Sequence, residues 1–323
     1  MINQDNIELR PKTFEEYIGQ KQVVDNLKIF IDAAKSRDEV LDHILFYGSQ
    51  GLGKTTIANI VANEMNSNFK SIIAVNIDKP KDLINILVLL EPGDTLFIDE
   101  IHRLSKSCME VLYSALEDYY VDIIYGQNNN LKTIRVDLHP FTLIGATTKI
   151  NMISKPLKDR FGIISRLDYY TNSDITKVIK RTSIVYNTSI EKKAIDYIAS
   201  RSRNTPRIAN NLFKRVRDFA YVLNNRHISL KICINAFKNL GINDEGLDEI
   251  DILYLDTIIN MFDKGPCGIK SLSISLNIDI ETLQDIYEPF LIKKGFIIKT
   301  SKGRIITKKG ISYYNNINNT KTI

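Results

Sequence analysis

One short stretch limits this chain more than any other. Gly48-Ser49-Gln50-Gly51-Leu52-Gly53-Lys54-Thr55 matches GxxxxGK[ST] and follows the apolar run His43-Ile44-Leu45-Phe46-Tyr47. Glycines at these spacings let the backbone curl so that its N–H groups converge on phosphate oxygens, and the helix that follows offers its positive end. Lys54 then neutralises charge on the outer phosphates, and the Thr55 hydroxyl can ligate Mg²⁺. Such a loop belongs between a buried strand and a helix, which predicts an α/β nucleotide-binding domain with a parallel sheet.

Neighbouring segments agree. Thr95-Leu96-Phe97-Ile98 runs into Asp99-Glu100, and Phe141-Thr142-Leu143-Ile144 runs into Gly145-Ala146-Thr147-Thr148. Both runs are short and rich in β-branched or aromatic residues, as buried parallel strands are. Between them lie helical patterns: Ile57, Ile60, Val61 and Met65 share one face, and so do Leu104, Cys108, Val111, Leu112, Ala115 and Leu116. An Asp at the end of the second run can hold a Mg²⁺ shell and the adjacent Glu can polarise a water; the pair could equally cap the next helix. Residues 121–136 break the rhythm. Val121, Ile123 and Tyr125 alternate, Gly126-Gln127-Asn128-Asn129-Asn130 is a polar turn, and Thr133-Ile134-Arg135-Val136 follows, so a β-hairpin is expected here.

Beyond residue 171 the pattern turns helical, with helices expected over 174–186, 190–200, 207–223 and 230–240. Gly241-Ile242-Asn243-Asp244-Glu245-Gly246 reads as a linker. Two short helices around Asn277 and two strands turning at Ser301-Lys302-Gly303 then give the layout of a winged helix. The tail after Asn315 reads as frayed.

Charge is uneven along this last part. Residues 290–310 hold seven basic side chains (Lys293, Lys294, Lys299, Lys302, Arg304, Lys308, Lys309) and no acidic one, whereas 244–256 hold six acidic and no basic ones. A basic wing suits phosphate contacts, which confer affinity without sequence preference. The net charge of +5 permits a nucleic-acid partner without requiring one. Three scattered cysteines form no CxxC, and the four histidines form no HExxH, so neither a disulfide framework nor a zinc site is expected. The absence of an apolar run of about 18 residues argues against a membrane span. The start MINQDNIELRPK is polar and lacks an apolar run, so no signal peptide is expected. A cytoplasmic protein is expected.

The wording of these motifs resembles the RuvB family of AAA+ ATPases, the bacterial motors of Holliday junction branch migration. The resemblance rests on Phe97-Ile98-Asp99-Glu100-Ile101-His102-Arg103-Leu104, Leu143-Ile144-Gly145-Ala146-Thr147-Thr148 and Pro156-Leu157-Lys158-Asp159-Arg160-Phe161-Gly162-Ile163. It extends to Arg10-Pro11-Lys12, Glu15-Glu16-Tyr17-Ile18-Gly19-Gln20 and Thr205-Pro206-Arg207-Ile208-Ala209-Asn210. It implies a large AAA+ domain over 1–170, a helical lid over 171–241 and a winged-helix head over 242–323.

It also implies roles. Leu9, Arg10, Tyr17 and Ile18 would lie near the adenine of ATP. Gly51, Gly53, Lys54, Thr55 and Thr56 would cradle the phosphates. Asp99 and Glu100 would be the Walker B pair, with Thr55 and Asp99 on Mg²⁺. Thr148 would be sensor 1, Arg160 an arginine finger given to the next subunit, and Arg207 sensor 2, closing with Tyr170 over the nucleotide. Glu117, Asp118 and Tyr119 match a segment that reaches a neighbour's nucleotide. Lys299 and Arg304 match DNA-contacting positions beside Lys302, and Ile134 and Val136 match the RuvA contact of the hairpin.

By the same resemblance the partners would be duplex DNA and Holliday junctions, RuvA, a RuvC-type resolvase and further copies in a hexameric ring. His102 reads as structural. The phosphate loop lacks the two prolines usual in the family, and Lys149 and Lys158 stand where Arg is usual; Lys lacks the planar fork, so neither is expected to act as a finger. A clamp-loader-like or protein-remodelling AAA+ ATPase is the alternative.

Overall fold

A computed structural model of the chain describes residues 9–125 and 132–321. The chain divides between Tyr169 and Tyr170 into two compact units. In the first, the strands are β1 (Ile44–Tyr47), β2 (Phe69–Ile73), β3 (Thr95–Asp99), β4 (Tyr120–Tyr125), β5 (Lys132–Asp137), β6 (Thr142–Thr147) and β7 (Ile163–Arg166). Five of them form one parallel sheet in the order β2-β3-β6-β1-β7. β6, flanked by β1 and β3, is buried along its whole length.

This order matters for function. The loop after β1, Asp99 at the end of β3 and Thr147-Thr148 at the end of β6 are carried by three adjacent strands at one edge of the sheet. The carboxyl ends of strands are where open α/β sheets bind ligands.

Helices Lys54–Glu64 and Lys106–Glu117 bury the faces their spacing predicts, Ile57, Ile60 and Val61 in one and Cys108, Leu112, Ala115 and Leu116 in the other. The Ser105 hydroxyl accepts from Cys108 N and so caps the second of these, a contact worth about 1 kcal/mol. His43 clips β1 to its surroundings: Leu143 N donates to Nδ1 at 3.0 Å, and Nε2 lies 3.0 Å from Leu116 O. Burial holds its pKa below the ordinary histidine value.

β4 and β5 pair antiparallel, with Val121 opposite Val136 and Ile123 opposite Ile134, and they lie in sequence ahead of β6. The predicted turn residues Gly126-Gln127-Asn128-Asn129-Asn130 lie outside the described residues. Sequence patterning missed β2, β7 and helix Pro80–Val88. The two strands are the sheet's edges and alternate irregularly between burial and exposure, which leaves no period to read.

The second unit begins with helices Asn172–Val185, Lys192–Arg201, Pro206–Leu223 and Leu230–Asn239. They close on Ile175, Ile179, Ile198, Phe213, Val216 and Phe237. Thr171 and Ser229 cap two of them.

The stretch read as a linker is a tight turn instead. The Asn243 side-chain oxygen accepts from Glu245 N and Leu247 N, and Arg203 Nε donates to Gly246 O at 3.1 Å. Helices Glu249–Asp256 and Ile269–Leu276 follow, then a helical stretch over 280–293, the antiparallel pair β8 (Ile297–Thr300) and β9 (Gly303–Ile306), and helix Lys308–Lys321. Asn277 ends its helix at φ 54. At Gly303, φ is +140 and a Cβ would stand 2.3 Å from Cys267 O, so only glycine fits the turn of the wing. The tail read as frayed, which starts at Asn315, continues a helix that runs through Lys321, and the part of this helix ahead of the tail packs Ile311, Tyr313 and Tyr314 against the winged-helix core.

Candidate functional site

The phosphate loop opens on Gly48, whose N–H donates to Thr147 O at 3.2 Å. A Cβ at Gly48 would meet Leu167 O at 2.4 Å, and Gly51 and Gly53 lie at φ +76 and +100. Gly53 is the N-cap of helix Lys54–Glu64, so the N–H groups that open the helix, with no carbonyl a turn earlier inside it, belong to Lys54 and its successors.

Lys54 is buried, and its ammonium donates to Gly48 O at 2.8 Å and Ser49 O at 3.1 Å. The Thr55 hydroxyl donates to Asp99 Oδ2 at 3.5 Å, and Glu100 N donates to Asp99 Oδ1 at 3.0 Å. Glu100 sits at φ 50, in the left-handed region. Its Oε2 accepts from Thr148 N at 3.3 Å and from Thr148 Oγ1 at 3.1 Å, and His102 Nδ1 lies 3.2 Å away. Burial works to raise the Glu100 pKa, but the His102 hydrogen bond, the Lys54 charge and the Thr148 donors outweigh it and bring it down to about 2. The carboxylate is therefore charged at any physiological pH.

These contacts join Lys54, Thr55, Asp99, Glu100 and Thr148 into one cluster. The fit to a Mg²⁺–nucleotide can be tested on it. Among the described residues no group of three or more His, Cys, Asp or Glu could hold a metal ion. A hydroxyl and a single carboxylate are the donor set of an Mg²⁺ that is completed by phosphate oxygens and water. The residues present fit that group.

Arg160 stands apart. Its Nη2 donates to Glu117 Oε2 at 2.5 Å, its Nη1 to Pro156 O at 3.0 Å, and its guanidinium lies over the Tyr113 ring. Of the predicted Glu117, Asp118 and Tyr119 segment, Glu117 is thus brought to Arg160, Asp118 is exposed, and Tyr119 turns the chain at φ 51. Leu9 and Tyr17 are buried, Ile18 and Thr56 half-buried and Arg10 exposed. Their segment is tied to the helix after the phosphate loop by Asn63 Nδ2, which donates to Lys12 O at 3.0 Å. Tyr170 and Arg207 belong to the second unit. Tyr170 is buried with its N–H on Asn204 O, and Arg207 is exposed in the first turn of helix Pro206–Leu223.

In the winged helix, Lys302 is exposed at the turn. Arg304 has a partner that the resemblance did not imply. It is 8% exposed, and it donates to Glu288 Oε1 at 2.7 Å from Nε and to Oε2 at 3.2 Å from Nη2. Lys299 Nζ reaches Glu288 Oε2 at 2.8 Å, and Tyr254 Oη donates to Oε1 at 3.0 Å. Arg304, implied by the resemblance as a DNA contact, is thus turned into the domain, where Nε and Nη2 hold the buried Glu288 carboxylate. On the hairpin, Ile134 is 49% exposed, while Val136 is half-buried against the core of the first unit.

The sequence matches three family profiles in turn. Residues 9–167 match the P-loop domain of the Holliday junction DNA helicase RuvB, 170–243 the RuvB AAA lid domain, and 244–315 the RuvB C-terminal winged helix domain. This chain belongs to the RuvB family. It is 49% identical over 315 residues to the Holliday junction branch migration complex subunit RuvB of Phytoplasma mali, covering 98% of this chain and 95% of that one. The RuvB subunit of Staphylococcus haemolyticus is 48% identical over 312 residues, 97% and 94% of the two chains. Among solved structures, the RuvB Holliday junction branch migration motor of Thermotoga maritima superposes with a TM-score of 0.87 at 44% identity, over 95% and 98% of the chains.

RuvB membership fixes the fold as a parallel-sheet P-loop domain with an AAA lid and a winged helix, and it sets aside the clamp-loader-like alternative. Sequence reasoning missed the part played by two groups, one in the phosphate-loop site and one in the winged helix. One is His102, whose ring reaches Glu100 and Thr147 Oγ1; the Glu-x-His spacing was its only signal. The other is Glu288, which sits in an apolar stretch and gave none.

Proposed function

We propose that this chain is the ATP-hydrolysing motor subunit of a branch-migration machine, moving duplex DNA through Holliday junctions together with a RuvA-type partner. The observation that carries this is the Lys54–Thr55–Asp99–Glu100–Thr148 cluster at the carboxyl edge of β1, β3 and β6, set in a chain that matches the three RuvB profiles in turn between residues 9 and 315.

Gly51, Gly53, Lys54, Thr55 and Thr56 hold the triphosphate, and Leu9, Arg10, Tyr17 and Ile18 hold the base. Thr55 and Asp99 hold Mg²⁺, which supplies Lewis-acid stabilisation of phosphoryl charge when bound. Glu100, kept ionised, accepts a hydrogen bond from the attacking water, and Thr148 sets its direction. Tyr170 and Arg207 close the lid side.

Arg160 acts on the neighbour's nucleotide. Its hydrogen-bond partners are Glu117 and Pro156, not the Lys54 cluster, and a half-buried Arg160 held by Glu117, with Asp118 and Tyr119 next along the chain, suits a ring of identical subunits, six by analogy. The exposed Ile134 offers an apolar anchor for the RuvA-type partner, with Val136 bracing the hairpin from behind. Lys302 and the outer face of Lys299 contact DNA phosphates, and Arg304 anchors the wing. A RuvC-type resolvase acts downstream. The setting is the cytoplasm, where the DNA is; no helix among the described residues is long and apolar enough to cross a membrane.

The test is ATP turnover on junction DNA for wild type, Arg160→Ala and mixtures of the two. An arginine finger contributes about 10³–10⁵ in rate, so Arg160→Ala should fall by roughly that factor with ATP still bound. Mixtures should fall below linear dilution, because each variant subunit silences its neighbour's site. Turnover of Arg160→Ala at the wild-type rate, or no stimulation by DNA, would refute the reading.

A further inference from the structure

Two histidines of the first unit are buried, and their surroundings differ in kind. Both ring nitrogens of His43 meet main-chain groups, Leu143 N and Leu116 O. That is how a structural imidazole satisfies itself in a core. The His102 ring is equally buried, with its side chain 3% exposed. Yet its Nδ1 faces side chains from two functional strand ends, Thr147 Oγ1 at 3.0 Å and Glu100 Oε2 at 3.2 Å.

The position of the Nδ1 proton follows from this geometry. An unprotonated Nδ1 would point its lone pair at a carboxylate oxygen 3.2 Å away, from a ring that is itself enclosed. A proton on Nδ1 gives both oxygens something to accept. Thr147 Oγ1 already accepts from Lys149 N at 2.9 Å and has a second lone pair for the ring.

We propose that His102 is a positioning residue: its Nδ1–H, together with the two Thr148 donors, pins Oε2 of Glu100 and leaves Oε1 to take the attacking water. The inference rests on the ATPase reading of Glu100 and deepens it. Glu100 needs such anchoring because its backbone lies in the left-handed region, where a non-glycine residue is held only by its surroundings. Loss of one donor lets the carboxylate swing, and a misplacement of about 1 Å costs about 10²-fold in rate without touching the grip on the nucleotide.

The experiment compares His102→Leu, His102→Asn and His102→Gln with wild type in steady-state ATP turnover on junction DNA, with thermal melts to confirm folding. An Asn amide nitrogen occupies nearly the place of Nδ1, whereas a Gln amide lies one bond farther out. For His102→Leu the expected result is a kcat lower by about 10–100-fold with KM for ATP within about threefold. His102→Asn should recover most of the loss and His102→Gln little of it. A merely structural histidine would give no such order. Equal turnover for the Asn and Leu variants, a His102→Leu variant at the wild-type rate, or a change confined to KM would each overturn the proposal. Should His102→Leu fail to fold, the Asn-against-Gln comparison decides alone. Glu100→Gln runs beside the series: if it keeps wild-type turnover, the assignment of Glu100 itself fails, and that outcome is separable from the His102 result.

Discussion

Two carboxylates, Glu100 in the first unit and Glu288 in the second, start from the same chemistry and end in different roles. Each is drawn below its ordinary pKa against the opposing pull of burial. For Glu100 the donors are His102 and Thr148, aided by the Lys54 charge; for Glu288 they are the Arg304 and Lys299 side chains. The difference lies in what remains unused. The Glu100 side chain is 22% exposed, and its donors gather on one oxygen. The Glu288 side chain is 1% exposed; Oε1 takes Arg304 and Tyr254 while Oε2 takes Arg304 and Lys299. A charge with an oxygen to spare at a sheet edge can act on a ligand. A charge with none to spare holds two strands and two helices together.

The largest effects should come from breaking the enclosed pair. Arg304→Ala leaves the Glu288 carboxylate buried with only Lys299 and Tyr254, and Glu288→Gln leaves a buried guanidinium. Removing one partner of a buried ion pair costs about 3–5 kcal/mol. Chemical denaturation should show that loss in either variant. Glu100→Gln should do the reverse, with kcat lower by about 10²-fold or more and a denaturation midpoint close to wild type. If Glu288→Gln were as stable as wild type, or if Glu100→Gln unfolded the protein, the division between the two carboxylates would be wrong.

How much of this was legible in the sequence follows from the distances involved. The phosphate loop was readable because its meaning lies in consecutive residues. The strands β1, β3 and β6 were readable because burial on both faces leaves an unbroken apolar run. The edge strands β2 and β7 were not, since one-sided and irregular burial erases the period.

Charge misled at Arg304. Counted with its basic neighbours it looks like a DNA-facing residue, and its partner Glu288 lies 16 residues earlier, in another element. The stretch 241–246 misled for a different reason. Gly, Asn and Asp serve a loose linker and a tight turn equally well. Only the structure shows Asn243 gathering two amides and Arg201 donating to Asp244 at 2.5 Å. The site's outline, Lys54 to Thr148, came from motif wording; the hydrogen bonds that orient it span 44 to 48 residues and carry no local signal.

A smaller effect sharpens the contrast on the DNA side. Lys302 is exposed at the wing's turn, whereas Arg304 is enclosed. Lys302→Ala should therefore lower duplex affinity several-fold without loss of stability, and should reduce the slope of log affinity against log salt by about 0.9, the value for one phosphate contact. An unchanged slope would place the DNA on another face.

A third carboxylate gives the finest test, because it is as enclosed as Glu288 yet not fully used. Asp251 is 0% exposed. Its Oδ2 accepts from Arg203 Nη2 at 2.5 Å and from Asp248 N at 3.0 Å, but among the described residues its Oδ1 has no hydrogen-bond partner. Burial raises its pKa and the Asp248 charge adds to that; Arg203 pulls the other way, and the result is about 7. The folded protein thus keeps a proton that the unfolded chain gives up between about pH 4 and about pH 7. Stability from this group is fully present below the lower limit and is lost as pH rises through the upper one. Asp251→Asn cannot ionise, so the difference in melting temperature between variant and wild type should shift in the variant's favour from pH 5 to pH 8. The measurement is a melting series across that range for both proteins. A constant difference would mean that Arg203 keeps Asp251 ionised throughout, as Arg304 keeps Glu288, and that one idle oxygen is not enough to change how a buried carboxylate behaves.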